Sequence, residues 1–532
     1  MIMAAKEIAD VCIVGAGLAG GIMAYELASK GVKVTVLEAG PRHDPQARFS
    51  TMQTTLTTGA DPWASNLPER DVFTNAGEVD YPLKAARVKA VGGSTLHWGG
   101  LSLRLHESDF KMKSRYGLAA DWPIGYAELE RYYGKAERAL GVAGKADNPF
   151  ASYRSTAYPL PHFPFHHDDR IFKKACAKLG IVMHHVPWAR NSVPYQNAAA
   201  CQAFSTCGSY GICPISAQYT SERHIRLAEQ TGNAEVIADA NVLRVNLDKS
   251  GRAQGVTYAT PEKEQHEVRA RVVVLAAHAI ETTRLLLLSE SSRFPHGLAN
   301  RSGLVGKNFM DHIYLAVTAK LKEKVAPHRI GFHTAESHQF VAVKNRDDIG
   351  AIKIDFEIVG PTPMDIARRS GNWGADLAKE IRETYGRELR ISLEIEQLPD
   401  DKNTISLDPK VTDYFGNPAP RITYSVGAYE KRTAQKAVEI GEKIFGAIEG
   451  AEITLGGDRS TEKIGFGYHH MGTCRMGNDP ETSVVTPDLK AHDVDNLFIV
   501  GSGVFVTGGG VQPSLTIATL AIRAAEYLAR EF

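Results

Sequence analysis

The chain has 532 residues, 43% of them apolar and 23% charged, with 61 basic and 61 acidic side chains and a formal net charge of zero. That length exceeds one ordinary hydrophobic core and predicts two or more packed domains. The charge balance removes the electrostatic case for nucleic acid or an anionic membrane as the main partner, and no run of eighteen apolar residues is present to span a bilayer.

Residues 1–10 are short and mixed, without the apolar run of a signal peptide. The chain is therefore expected in the cytoplasm, or exported with a partner that carries the signal. Residues 10–14, Asp-Val-Cys-Ile-Val, form the apolar run of a buried parallel strand. Gly15-x-Gly17-x-x-Gly20 follows at once and opens a helix predicted to continue to about Lys30. A second strand, residues 32–37, ends in Glu38. The glycines permit a tight turn and let backbone N–H groups approach a pyrophosphate, and the helix N-terminus favours that anion. Glu38 is placed to accept a hydrogen bond from a ribose hydroxyl. The motif alone does not separate NAD from FAD.

Residues 42–79 are polar and turn-rich and are expected to form a loop over the active site. Residues 91–100 contain a second glycine-rich stretch, Gly92-Gly93-Ser94-Thr95-Leu96-His97, whose small residues let backbone lie close to a planar ligand. Of six cysteines, too few for a disulfide scaffold at this length, three share one loop as Cys201-x5-Cys207-x5-Cys213. Three thiols on such a loop suit an iron–sulfur cluster. A zinc site would need a fourth ligand, and nothing in the spacing of His184 and His185 supports either one.

Residues 271–277 are another buried-strand run, leading to a helix over 284–289. Residues 314–321, 351–358 and 389–396 alternate apolar and polar, as half-buried antiparallel strands do. Glu394, Glu396 and Gln397 are candidate substrate contacts there, although solvent-facing strand positions are the simpler reading. A helix over 430–447 recrosses toward the C-terminal segment. There Tyr468-His469-His470-Met471-Gly472 precedes a strand, residues 496–500, that leads to Gly501. Gly508-Gly509-Gly510-Val511-Gln512-Pro513 then opens the final helix, with proline suited to its first turn. The nucleotide-binding sheet is therefore expected to draw strands from the start, middle and end of the chain. One end of the chain carries a nucleotide fingerprint, the other a histidine pair of the kind that serves acid/base chemistry near neutral pH.

These motifs, with Val305-Gly306-Lys307-Asn308-Phe309-Met310-Asp311-His312, resemble the glucose–methanol–choline (GMC) flavoprotein oxidoreductases over nearly the full length. Within that family the chain looks most similar to the large subunits of bacterial sugar dehydrogenases. The resemblance implies an α/β fold: a discontinuous Rossmann-like FAD-binding domain (1–115, 222–308 and 465–532) and a substrate domain with an antiparallel sheet backed by helices (116–221 and 309–464). FAD would contact Gly15, Gly17, Gly20, Glu38, Gly92, Gly93, Ser94, His97, Gly501 and Pro513. His97 matches a position where some members link FAD covalently, whereas in the sugar dehydrogenases it stands beside a non-covalent flavin.

The resemblance also implies catalysis. FAD takes a hydride from carbon, and the H-x-x-G register selects His469 as the base that takes the hydroxyl proton. His470 then points away or makes a secondary contact. Gln512 stands where the family has Asn or His. It either orients the substrate hydroxyl or draws its amide back and leaves His469 to act alone. Cys201, Cys207 and Cys213 correspond to a [3Fe–4S] site, which implies electron exit to a cytochrome c acceptor. A small subunit carrying an export signal would take the complex to the periplasm. The expected substrate is a pyranose hydroxyl, carbon 3 of a glucoside first and the anomeric carbon of an aldose next. An oxygen-using oxidase and an FAD-containing lyase are the alternatives.

Overall fold

A computed structural model describes residues 8–58, 62–63, 68–203, 211–325, 331–341, 343–357, 362–455 and 465–532. Five parallel strands stand side by side in the order Ala234–Ile237, Val34–Leu37, Ala9–Val14, Gln265–Leu275 and Leu497–Ile499. They come from the start, middle and end of the chain, as the apolar runs imply. Val11, Cys12 and Ile13 are fully buried, the condition of a strand covered on both faces. Helices Leu18–Ala28 and Ser514–Leu528 pack together there, flanked by Glu222–Gln230 and Tyr126–Leu140. The strand Gln265–Leu275 does two jobs. Its second half joins the parallel sheet, and its first half pairs antiparallel with Ala253–Ala259, which continues to Asn241–Leu247.

The second large sheet is antiparallel, with Ile313–Lys320, Glu388–Ile395, Ile352–Glu357 and Ala335–Phe340 adjacent in that order and His184–His185 on the edge. The predicted strands and their alternation are present. Leu389, Ile391, Leu393 and Ile395 belong to one apolar cluster with Ile352, Ile354 and Phe356, and the helix Ala428–Gly446 adds Val438, Ile440, Ile444 and Phe445. The polar face departs from expectation. Lys353, Asp355, Ser392 and Glu394 are all 0% exposed, and Glu396 and Gln397 only 2% and 3%. The face read as solvated is covered by the C-terminal segment and its neighbours. There Lys353 is paired with Asp355 and Glu394 rather than with water.

A third sheet corrects the expected loop over 42–79. That segment holds the helix Arg48–Thr58 and the strand Thr74–Gly77, which lies parallel to Pro418–Tyr424. The helix escaped notice because it is threonine-rich. Thr51, Thr54, Thr57 and Thr58 return their hydroxyls to the carbonyl four residues back, which keeps β-branched polar residues inside a helix. No helix among the described residues is long and apolar enough to cross a membrane.

Candidate active site

A cavity of about 530 Å³ begins at the amino-terminal fingerprint and ends at the C-terminal histidines. Gly15, Gly17 and Glu38 line one end, Gly93, Ser94 and His97 the middle, and His469, Gly501, Gln512 and Pro513 the other end. Gly20 and Gly92 do not reach the wall. Gly20 instead packs inside the turn, where an added Cβ would lie 1.9 Å from the Gly15 carbonyl oxygen. The two glycine motifs meet: Gly93 has φ +54°, and a Cβ there would approach the Gly17 Cα to 2.8 Å. That contact holds the second loop against the start of the first helix.

Glu38 accepts hydrogen bonds from Ala16 N–H (2.9 Å) and Gly40 N–H (3.2 Å). Burial raises its pKa to about 7, against the pull of those N–H groups. A bare helix N-terminus with no acidic residue in its first turn faces the cavity beside it. Backbone donors, close-approach glycines and a buried carboxylate are the donor set a dinucleotide requires.

At the other end, residues 467–471 lie beside 310–312. Gly467 N–H donates to the His312 carbonyl (2.8 Å), and Met310 and Met471 exchange backbone hydrogen bonds. The buried Asp311 carboxylate fastens the turn. It accepts from the backbone N–H groups of His469 (2.6 Å), Tyr468 (3.1 Å) and His312 (2.7 Å), and from the Tyr81 hydroxyl (2.5 Å). Burial raises its pKa despite the nearby His469 ring.

His469 keeps 17% of its side chain exposed. Its Nδ1 lies 2.9 Å from His312 Nδ1 and 3.3 Å from Glu394 Oε1. His312 Nε2 bonds the Gly509 carbonyl at 2.9 Å. A carbonyl only accepts, so His312 carries a hydrogen on Nε2; in its neutral form, which burial favours, Nδ1 is then the acceptor, although it also lies 3.1 Å from Glu394 Oε1. His469 then donates from Nδ1, and its Nε2 lone pair is free to take a proton. Burial favours the neutral form of His312, although Glu394 opposes it. Burial would raise Glu394, but Lys353 and His312 hold it down to about 2. Gln512 donates from Nε2 to the other Glu394 oxygen, and its Oε1 has no partner among the described residues.

His470 is 3% exposed and also lines the cavity, but its contacts lie outside this group. It hydrogen-bonds His278 (2.7 Å) and stacks on Phe309. Burial drives its pKa well below the ordinary histidine value. The structure thus gathers His469 and Gln512 around Glu394 and sets His470 apart. Sequence reasoning missed Asp311, His312 and Tyr81 as members of the site. The available signal was the Asp-His pair.

Of the cysteine loop, Cys201 and Cys213 are half-buried free thiols, and Cys207 lies outside the described residues. Arg190 Nη1 is 4.0 Å from Cys201 Sγ. A Cβ at Gly211 would meet His97 Cβ at 2.9 Å, so the loop end abuts the cavity wall.

The amino-terminal description of GMC oxidoreductases matches residues 70–314 and the carboxy-terminal one residues 399–521. The chain belongs to the GMC oxidoreductase family. A NAD(P)-binding Rossmann-like description also matches residues 13–47. Among GMC relatives, the fructose dehydrogenase large subunit of Gluconobacter japonicus is 33% identical over 97% of both chains. The gluconate 2-dehydrogenase flavoprotein of Pantoea cypripedii is 26% identical over 98% of this chain and 94% of its own. The fold matches pyridoxine 4-oxidase from Mesorbium loti (TM-score 0.68, 19% identity, 98% and 99% coverage) and formate oxidase (0.71, 16%, 99% of each). This GMC chain is an FAD-dependent oxidoreductase of CH–OH groups, and its cavity has the donors FAD requires.

Proposed function

We propose that the chain is the catalytic subunit of a sugar dehydrogenase. In this reading His469 takes the proton of a pyranose hydroxyl onto Nε2. The carrying observation is the arrangement of His469 and Gln512 about one buried carboxylate, Glu394, at the far end of the dinucleotide cavity. Bound FAD supplies the hydride acceptor. The neighbouring residues determine what His469 can do. Its Nδ1–H is engaged, which turns Nε2 to the cavity. The ionised Glu394 stabilises the imidazolium as it forms. Asp311 fixes the backbone of the turn, so the ring needs no rearrangement.

The favoured hydroxyl is carbon 3 of a glucoside. Gln512 supports this reading: with Nε2 tied to Glu394, its free Oε1 can accept from a hydroxyl next to the reacting one. The oxidation of glucose and a methyl glucoside, followed by NMR, tests it. A 3-keto product is expected, and a lactone as sole product would reject it.

Cys201, Cys207 and Cys213 would hold an iron–sulfur cluster supplying one-electron transfer to a partner. The free thiols of the two described cysteines and the contact of Gly211 with His97 support this. Iron and acid-labile sulfide in the purified protein test it. A relative named as a large subunit supports assembly with a small subunit. That subunit would carry the export signal to the periplasm, with a cytochrome c as acceptor.

A further inference from the structure

A second cavity of about 160 Å³ shares no lining residue with the first. His184, Glu336 and His338 form part of its wall and are 1%, 0% and 2% exposed. The strands bring them together. His184 on the edge strand pairs in register with Glu336, and His338 follows two residues on, on the same face.

These three side chains are not satisfied by one another. Both Glu336 oxygens, His338 Nε2 and His184 Nε2 are buried without a hydrogen-bond partner among the described residues. Groups left so in a folded interior are costly. Glu336 Oε1 lies 3.4 Å from His338 Nε2 and 3.6 Å from His184 Nδ1, a nitrogen that also faces the His185 carbonyl at 3.4 Å and would have to give up that contact, or leave the ion to Nε2, for His184 to ligate. One donor atom from each of the three is within 4.8 Å of the others. Donors about 2.0–2.1 Å from a tetrahedral ion stand roughly 3.3 Å apart, close to the two measured edges.

Charge points the same way. Glu336, Asp355 and Glu394 share one ammonium, Lys353, at 3.9, 2.6 and 3.5 Å. The other charges around the cavity are balanced: Arg104 with Glu130 and Glu137, Arg154 with Glu137, Lys145 with Asp147. Asp355 also has His333 Nε2 at 3.2 Å, and Glu394 has His312 and His469 beside it, so Glu336 is the carboxylate left with only the distant ammonium at 3.9 Å and its two neighbouring imidazoles. The far nitrogen of His338, Nδ1, is 3.1 Å from His106 Nε2 and 3.0 Å from Asn148 Nδ2. As a ligand through Nε2, His338 would donate Nδ1–H to His106 Nε2, the outer acceptor that orients a metal-bound imidazole, and the Asn148 amide would turn its oxygen toward it.

We propose that His184, Glu336 and His338 bind a divalent first-row transition-metal ion such as zinc, with a fourth position open to the second cavity. The ion ties the edge strand His184–His185 to the strand Ala335–Phe340. Two competing sets exist among the described residues: His312, Glu394 and His469 belong to the active site, and His333, Glu336 and Asp355 share Glu336, so the test must separate all three, the last through His184→Ala.

The purified flavin-loaded enzyme is equilibrated with zinc, desalted and analysed for metal. In parallel, cobalt is added and its visible absorption recorded. The expected result is one zinc per chain, a tetrahedral cobalt spectrum and a raised melting temperature. His469→Ala should keep the ion, whereas His184→Ala and Glu336→Gln should lose it with flavin retained. His106→Ala should weaken zinc binding about 10- to 100-fold. Wild-type enzyme that takes up no stoichiometric zinc overturns the proposal, whatever the variants do. Retention of the ion in either His184→Ala or Glu336→Gln, or its loss in His469→Ala, overturns it equally.

Discussion

Two neighbouring histidines, His469 and His470, differ by almost everything that decides reactivity. Both line the cavity, but His469 is bonded to His312 beside Glu394, whereas His470 is buried, stacked on Phe309 and bonded to His278. Removing a general base costs about 10²- to 10⁴-fold in rate. His469→Ala is therefore expected to lower kcat by that factor, with flavin content and melting temperature near wild type. His470→Ala should instead lower stability, because it opens a cavity between Tyr81 and Phe309. Stopped-flow flavin reduction and thermal melting distinguish the two outcomes. The proposal of His469 as base starts from its spacing to Gly472, which the sequence displays. Glu394 was not legible, because a carboxylate on an alternating strand reads as solvated until the covering segment is known.

Glu38 gives a pH prediction at the same scale. Burial lifts its pKa from the ordinary 4.5 to about 7 in the folded chain. Between those values the folded state binds more protons than the unfolded state, so stability falls as pH rises through that window. Stripped of flavin, wild type should lose stability relative to Glu38→Gln from about pH 4.5 to pH 7, by up to about 3 kcal/mol. Urea titrations at several pH values measure it; a constant difference across the window would refute it.

Among the elements, those built on continuous apolar runs were the legible ones. Residues 11–14, 272–275 and 497–499 declare themselves because nothing polar survives between two covering layers. The helix Arg48–Thr58 did not, since its threonine hydroxyls are satisfied by its own carbonyls. The contact between the two glycine loops lies between these extremes. Each motif was visible, but their meeting at Gly17 and Gly93 was not, because no spacing rule encodes a long-range approach. Alanine at Gly93 would need a left-handed backbone and would drive its Cβ into Gly17 at 2.8 Å. Gly93→Ala is expected to purify with little flavin while keeping its far-ultraviolet dichroism. Full flavin occupancy, read from the absorbance ratio, would contradict the packing described.

At the scale of the molecule, the sequence announced a discontinuous nucleotide sheet but not how the two apolar clusters are joined. That join is polar. Arg284, on the helix Ala279–Leu288 beside the parallel sheet, reaches the turn between Thr404–Thr412 and Pro418–Tyr424. There it bonds Asp413 at 2.6 Å and the Pro418 carbonyl at 2.8 Å, with side chains only 7% and 2% exposed. Asp413 also accepts from Phe415 and Asn417 N–H, so the ion pair and the turn support each other. Breaking a buried pair from one side leaves an uncompensated charge, typically 3–5 kcal/mol. Because those turn N–H groups remain, Arg284→Met is expected to cost about 3 kcal/mol in urea unfolding. Asp413→Asn in the same background should recover part of that loss, since the neutral amide removes the unpaired charge. A double variant no more stable than Arg284→Met would show that the loss came from apolar packing of the arginine stem. The coupling between the two changes therefore reports how strongly this ion pair fastens the flavin-binding and substrate-side clusters to each other.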